Sequence, residues 1–149
     1  MNAKECAGYK MIAESLVCLA LNVYYEARNQ PLGGQIAVTH VVMNRVADPR
    51  YPDTPCKVIK QGIHSKVTGQ PLRWKCQFTW YCDGRKDRPH DLDAYRWAQL
   101  IAHYVIYGDS DDLTDGATHY HAVSVNPKWD IKKTRIGRIG DHIFYRWEK

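Results

Sequence analysis

The sequence is short of glutamate, with four in 149 residues, and of long apolar stretches, the longest unbroken run being the six residues Leu16 to Leu21. A run of ~18 or more is the usual mark of a bilayer-crossing helix, so a membrane span and stable membrane insertion are not expected. No secretory leader is evident. Lys4 and Lys10 come early, but Glu5 and Glu14 interrupt the apolar residues and no small-residue cleavage pattern follows. No repeat, low-complexity tract or Gly/Ser linker divides the chain, and its length suits one domain over residues 1–149. A CxxC pair is also absent. The five cysteines (Cys6, Cys18, Cys56, Cys76, Cys82) are an odd number, and without a leader reduced thiols are the default expectation. Cys76 and Cys82 are close enough to meet across a turn.

What is present is an ordinary soluble composition, 44% hydrophobic and 25% charged, with a net charge of +5. Such a charge favours polyanionic partners such as nucleic acid, anionic lipid or acidic wall polymers, without choosing among them. Ile12, Leu16, Leu19, Val23 and Glu26 follow at spacings of three and four, one stripe of a helix predicted from Tyr9 to Ala27 and ended before Pro31. Gln35 to Ala47 is apolar nearly all round, which predicts a buried central helix. Cys56 to Ile63 reads as a short helix. Asp91 is a good N-cap for a helix ending at Tyr107, with Gly108 as its stop. Thr118–Val125 and Ile143–Trp147 read as strands. The fold class is α+β, mainly helical, with a small β element.

Glu26 stands out because it ends an apolar stripe beside Tyr24 and Tyr25. Desolvation there raises a carboxyl's pKa and keeps it protonated, which is what a general acid for glycosidic cleavage requires. The competing reading is an ion pair with Arg28 or Arg45. Retaining and inverting hydrolases generally use two carboxylates ~5–9.5 Å apart. Asp48, Asp53, Asp83 and Asp115 are candidates for the second, and no spacing favours any of them.

Tyr25-Glu26-Ala27-Arg28, Gly34-Gln35-Ile36-Ala37-Val38 and Asn44-Arg45-Val46 resemble the opening signature of the SleB/CwlJ-like cell-wall hydrolases. The likeness continues through Cys76-Gln77-Phe78-Thr79-Trp80, Asp83-Gly84, Gly116-Ala117-Thr118-His119-Tyr120-His121, Pro127, Trp129 and Ile139 to Tyr145. That resemblance implies a lysozyme- or lytic-transglycosylase-like single domain. It also implies Glu26 as the catalytic acid/base and a glycan groove lined by Gln77, Phe78, Thr79, His119 and Tyr120, with no metal or cofactor. The expected substrate is the β-1,4 bond between N-acetylmuramic acid and N-acetylglucosamine in peptidoglycan strands. One glutamate suits a lytic transglycosylase, with a hydrolytic muramidase or an N-acetylmuramoyl-L-alanine amidase as alternatives. Without a leader or a wall-binding domain, the expectation is a monomeric phage endolysin, made in the cytoplasm and released by a holin.

Other readings compete for particular residues. His119 and His121 share a strand face and, with Cys76 and Cys82, would supply a Cys₂His₂ zinc set, though at spacings unlike common zinc modules. A Cys/His acyl-hydrolase lacks any local nucleophile signature. Asp109 to Gly116 is acidic enough for calcium but departs from the EF-hand pattern at Leu113. Lys132, Lys133, Arg135 and Arg138 near Trp129 and Tyr145 suggest a single-strand nucleic-acid surface, but no nucleic-acid motif accompanies them, so no nucleic-acid partner is expected.

Overall fold

Asn2 opens the first helix with a reciprocal cap: its side chain accepts from the Glu5 amide at 2.9 Å, and Glu5 accepts from the Asn2 amide. In this computed structural model, which describes residues 1–148, the helix α1 runs Ala3–Ala27. It starts six residues before the apolar stripe predicts, because residues 1–14 face solvent and carry no periodic signal. The exclusion of a membrane-length helix is corrected here. α1 reaches a mean hydropathy of 1.3 over 18 residues, since single polar residues break a run without lowering the average. By length and composition it could cross a membrane or serve as a leader. Its second half instead lies in the core, through Leu19, Val23 and Ala27.

α2 (Leu32–Ala47) is the buried helix its composition predicts, with Ala37, Val38, Val41 and Val42 sealed from solvent. α3 (Pro55–Ile59) is capped by Thr54. α4 (Leu92–Tyr107) is capped by Asp91 and stops at Gly108, as expected, and it packs along α1 and across α2.

The β structure is larger than predicted. β1 (Gly62–His64) and β2 (Pro71–Cys76) form an antiparallel pair that no alternating pattern announces. At Gly62 the strands approach so closely that a Cβ would lie 2.7 Å from the Cys76 Cα. β3 (His119–Ala122), β4 (Thr134–Ile139) and β5 (His142–Arg146) form a second sheet in the order β3-β5-β4. The β4–β5 turn docks on the α1–α2 junction, where Gln30 Oε1 accepts from the Asp141 amide at 2.8 Å. Gly140 has φ +57° there, and a Cβ would come within 2.4 Å of Gln30 Oε1. Only glycine fits that contact.

Two disulfides correct the expectation of free thiols. Cys18–Cys56 joins α1 to α3, and Cys76–Cys82 joins the end of β2 to a 3₁₀ turn at Thr79–Cys82. The partners' Cα atoms are 5.3 and 6.2 Å apart, within the span a disulfide bridges. Cys6 is the free cysteine, and it is exposed.

Candidate active site

Glu26 lies in the last turn of α1, and α2 builds the ground around it. Gln35 reaches back to the end of α1, its Nε2 donating to the Ala27 and Arg28 carbonyls at 3.2 and 3.3 Å. Its Oε1 accepts from Trp97 Nε1 at 2.7 Å. The carbonyls a helix leaves open at its C-terminus are thus satisfied by a buried side chain rather than by water. At the other end of α2, Asn44 donates to the Ala117 carbonyl and to Asp112, both at 2.9 Å, and Arg45 Nε donates to the Thr118 carbonyl at 2.7 Å. These bonds hold the segment leading into β3 and bring Tyr120 to Glu26.

Two polar groups act on the carboxyl, Tyr120 by direct contact and Arg45 through its charge. The Tyr120 hydroxyl interacts with the carboxyl and with Asn22, while Arg45 Nη1 is buried without a hydrogen-bond partner. Trp80 Nε1 donates to Asn22 Oδ1 at 3.0 Å, which fixes the amide and leaves its Nδ2 as the group available to Tyr120. Buried orphan donors are costly and rare, and they are expected where a ligand or reacting group completes the set. Burial pushes the Glu26 carboxyl above its ordinary range, outweighing Tyr120 and Arg45, which both favour the carboxylate. Neither ion pair of the competing reading closes. Among the described residues Glu26 makes no salt bridge: Arg28 donates to the Tyr24 hydroxyl, and Arg45 acts on the carboxyl from a distance.

No carboxylate contributes to the Glu26 shift among the described residues. Of the candidates for a second acid, Asp48 pairs with Arg50, Asp53 with Lys57 and Asp115 with Arg146. Asp83 lines a neighbouring cavity beside Tyr25.

The expected groove residues separate. Gln77 and Thr79 are exposed next to the Cys76–Cys82 bridge. Phe78 is 4% exposed and lies beneath the Arg45 guanidinium, 5.5 Å from its ring centre, so it has little face to offer a sugar and supports Arg45 instead. Trp80 is also buried and stacks on Tyr25 with centroids 5.1 Å apart. Tyr120 and His119 point to opposite faces of β3. Tyr120 joins Phe144 and His142 on the core side, and His119 joins Trp129 and Trp147 on the outer side. Asn22 and Arg45 were not singled out from the sequence as members of the site. The available signal was a polar residue one turn before Glu26 on an otherwise apolar stripe.

The remaining readings lose their ligands. Cys76 and Cys82 are bonded to each other, so they offer no thiolates to zinc. His121 is held between the Ala122 carbonyl and the Tyr145 hydroxyl. In the acidic loop, burial resists ionisation of Asp112. Hydrogen bonds from Thr114, Gly116 and Asn44 outweigh it, hold the carboxyl below its usual range and occupy the oxygens a calcium ion would need. Lys133 lies over the rings of Trp129 and Trp147, within the basic patch.

His119 carries a consequence for stability. Burial, reinforced by Arg45, Lys133 and Arg50, lowers its pKa to about 3, against an ordinary 6.5. The unfolded chain therefore binds this proton first, and the stability carried by the neutral ring is complete above pH 6.5 and is lost as pH falls towards 3. The ring is partly exposed, so screening trims the effect. Thermal unfolding of His119→Gln is expected to fall less steeply than wild type between pH 6.5 and 4. Parallel curves for the two proteins would refute this.

The match to known proteins follows this layout. The family model described as Cell Wall Hydrolase matches residues 29–145. The spore cortex-lytic enzyme of Halalkalibacterium halodurans is 34% identical over 139 residues, covering 93% of this chain and 36% of that protein. That of Bacillus subtilis is 30% identical over 126 residues, covering 85% of this chain and 35% of that protein. The chain thus spans little more than a third of the length of these relatives. Among solved structures, the catalytic domain of the germination-specific lytic transglycosylase SleB from Bacillus anthracis superposes with a TM-score of 0.62 at 27% identity, over 89% of this chain and 93% of that one. The Bacillus cereus SleB catalytic domain, at 24% identity and TM-score 0.57 over 89% of each chain, shares the fold. The α+β, mainly helical domain is therefore the one expected, and the chain belongs to the cell wall hydrolase family.

Proposed function

We propose that this chain cleaves the β-1,4 bond between N-acetylmuramic acid and N-acetylglucosamine by the lytic transglycosylase route, with Glu26 as its one acid/base. The observation that carries the reading is a buried carboxyl, raised in pKa, with the Tyr120 hydroxyl against it, the Arg45 charge acting on it and no carboxylate acting on it among the described residues. Protonated Glu26 gives its proton to the glycosidic oxygen, the bond to muramic acid C1 breaks, and the N-acetylglucosamine side leaves as an alcohol. Positive charge develops at C1. The new carboxylate is stabilised by the Arg45 charge and by the Tyr120 hydroxyl. Glu26 then takes the proton of the C6 hydroxyl as that oxygen bonds to C1, which closes a 1,6-anhydro ring and restores the acid. No water is consumed, so no second carboxylate is needed to activate one.

Digestion of purified peptidoglycan followed by mass spectrometry tests the route. Anhydro-muropeptides are expected. Reducing muramic ends alone would mean hydrolysis, and freed stem peptides would mean an amidase.

The two disulfides suit work in an oxidising compartment, and the +5 charge suits an anionic wall. We place its action outside the cytoplasm, on the glycan strands, in bacterial lysis as an endolysin, acting as a monomer. Gln77, Thr79 and Tyr120 border the glycan in this reading. His119, on the other face of β3, lies along the strand's outer approach.

A further inference from the structure

Beside Glu26, on the next face of α1, a cavity of about 550 Å³ opens between the helix end and the segment 83–90. Its lining includes Tyr25, Arg28, Asp83, Arg85, Asp87 and Arg88. A smaller cavity of about 290 Å³ shares Arg85 and Asp87 and lies towards Pro71 and Arg73, and the two adjoining hollows are treated together as a trough. Its charges are of both signs. Among the described residues none of these acids and bases is joined in a salt bridge. Within the trough the Tyr25 hydroxyl is buried and lacks a partner. Burial also holds the Asp87 carboxyl above its ordinary range, reinforced by Asp83.

The position relative to Glu26 limits what the trough meets. If Glu26 protonates the bond at muramic acid C1, the lactyl group on C3 of the same ring carries its peptide away from that point, and Tyr25 is the adjacent residue of the helix. An extended stem of three or four residues spans ~10–14 Å. That is a reach suited to two adjoining cavities. Stem peptides carry free carboxylates and, where the third residue is a diamino acid, a free ammonium, the complement of a lining whose arginines and aspartates form no salt bridge among the described residues.

We propose that this trough is a subsite for the zwitterionic peptide stem of peptidoglycan, with Arg28, Arg85 and Arg88 receiving its carboxylates, and Asp83 and Asp87 its ammonium. The proposal rests on the glycan-cleaving reading for its geometry and adds a determinant of which strands are held. A stem-bearing strand would gain contacts that a stripped strand lacks.

The test separates the two readings by measuring binding rather than turnover. The intact protein is titrated with the free tripeptide L-Ala-γ-D-Glu-meso-diaminopimelate, and separately with the same peptide N-acetylated and amidated, while amide resonances of residues 83–90 are followed by NMR. The charged peptide is expected to shift them saturably and the blocked peptide is not. Asp87→Asn is expected to weaken binding about tenfold, the loss of one charge-assisted hydrogen bond. No saturable shift, equal binding of both peptides, or an Asp87→Asn variant that binds as wild type would overturn the subsite. The blocked peptide keeps the test decisive even if the variant is unstable. Binding without any glycan cleavage would remove the glycosidase reading and leave the subsite. Cleavage without binding would do the reverse.

Discussion

Glu26→Gln is expected to give a folded protein whose glycan cleavage has fallen by about 10²–10⁴-fold, the usual contribution of a positioned general acid. The amide keeps the shape of the carboxylic acid but cannot give up a proton. The loss should appear in kcat, because the substrate's other contacts are untouched. Stability should move the opposite way. Burial raises the folded pKa of Glu26 above the ordinary 4.5, so the folded state holds this proton more tightly than the unfolded chain. The cost of ionising it is absent below 4.5 and grows as pH rises through the folded value. The variant escapes that cost, so its advantage in thermal unfolding should widen from pH 4 to pH 8. Retained cleavage at full rate would show that the carboxyl is structural. A collapsed fold would show instead that the polar cluster needs the acid for packing.

The second large effect concerns the disulfides. Cys18–Cys56 closes a loop with a sequence separation of 38 and ties the core half of α1 to α3. Loop-closure entropy for that span amounts to about 4 kcal/mol, and for the six-residue separation of Cys76–Cys82 to about 2 kcal/mol. In a domain of this size each kcal/mol moves the melting temperature by ~2–4 °C. Cys18→Ser/Cys56→Ser should therefore lower it by roughly 8–16 °C, and reductant, which opens both bridges of the wild type, by roughly 12–24 °C. Cys76→Ser/Cys82→Ser should cost about half as much stability. It should disturb cleavage more, because that bridge brackets Gln77 to Tyr81 and sets where Trp80 meets Tyr25 and Asn22. Identical melting with and without reductant would show that the bridges do not form in solution. It would also remove the main support for work outside the cytoplasm.

The helices were legible because burial writes periodicity into a helix and capping marks its ends. α2 shows an all-round apolar surface, and α4 lies between Asp91 and Gly108. The exposed start of α1 carried only the Asn2/Glu5 capping box, a signal easily lost beside an apolar stripe. The first hairpin was silent for a different reason: β2 is mostly exposed, so its side chains alternate between water and water. In β4 a register shift between Arg135 and Gly137 breaks the alternation, so Arg135 to Arg138 reads as a basic surface until β5 is seen beside it. Glu26 was visible because one carboxyl ended an apolar stripe. Its partners were not, since Arg45 meets it only after α2 folds back, and Cys18 and Cys56 meet only after α3 does.

Tyr24 is sealed in the core, yet its hydroxyl is shared by three donors: Arg28, and the amides of His90 and Asp91 at 3.1 and 3.0 Å. One phenol thus rivets the turn that carries Glu26 to the loop roofing the charged trough and to the cap of α4. The His90 end of that loop is pinned, because lifting it would strand a buried oxygen and two main-chain amides at once. Whatever enters the trough meets an edge fixed at His90, and any yielding would have to come from residues 84–88 and the long arginine and lysine side chains at its rim.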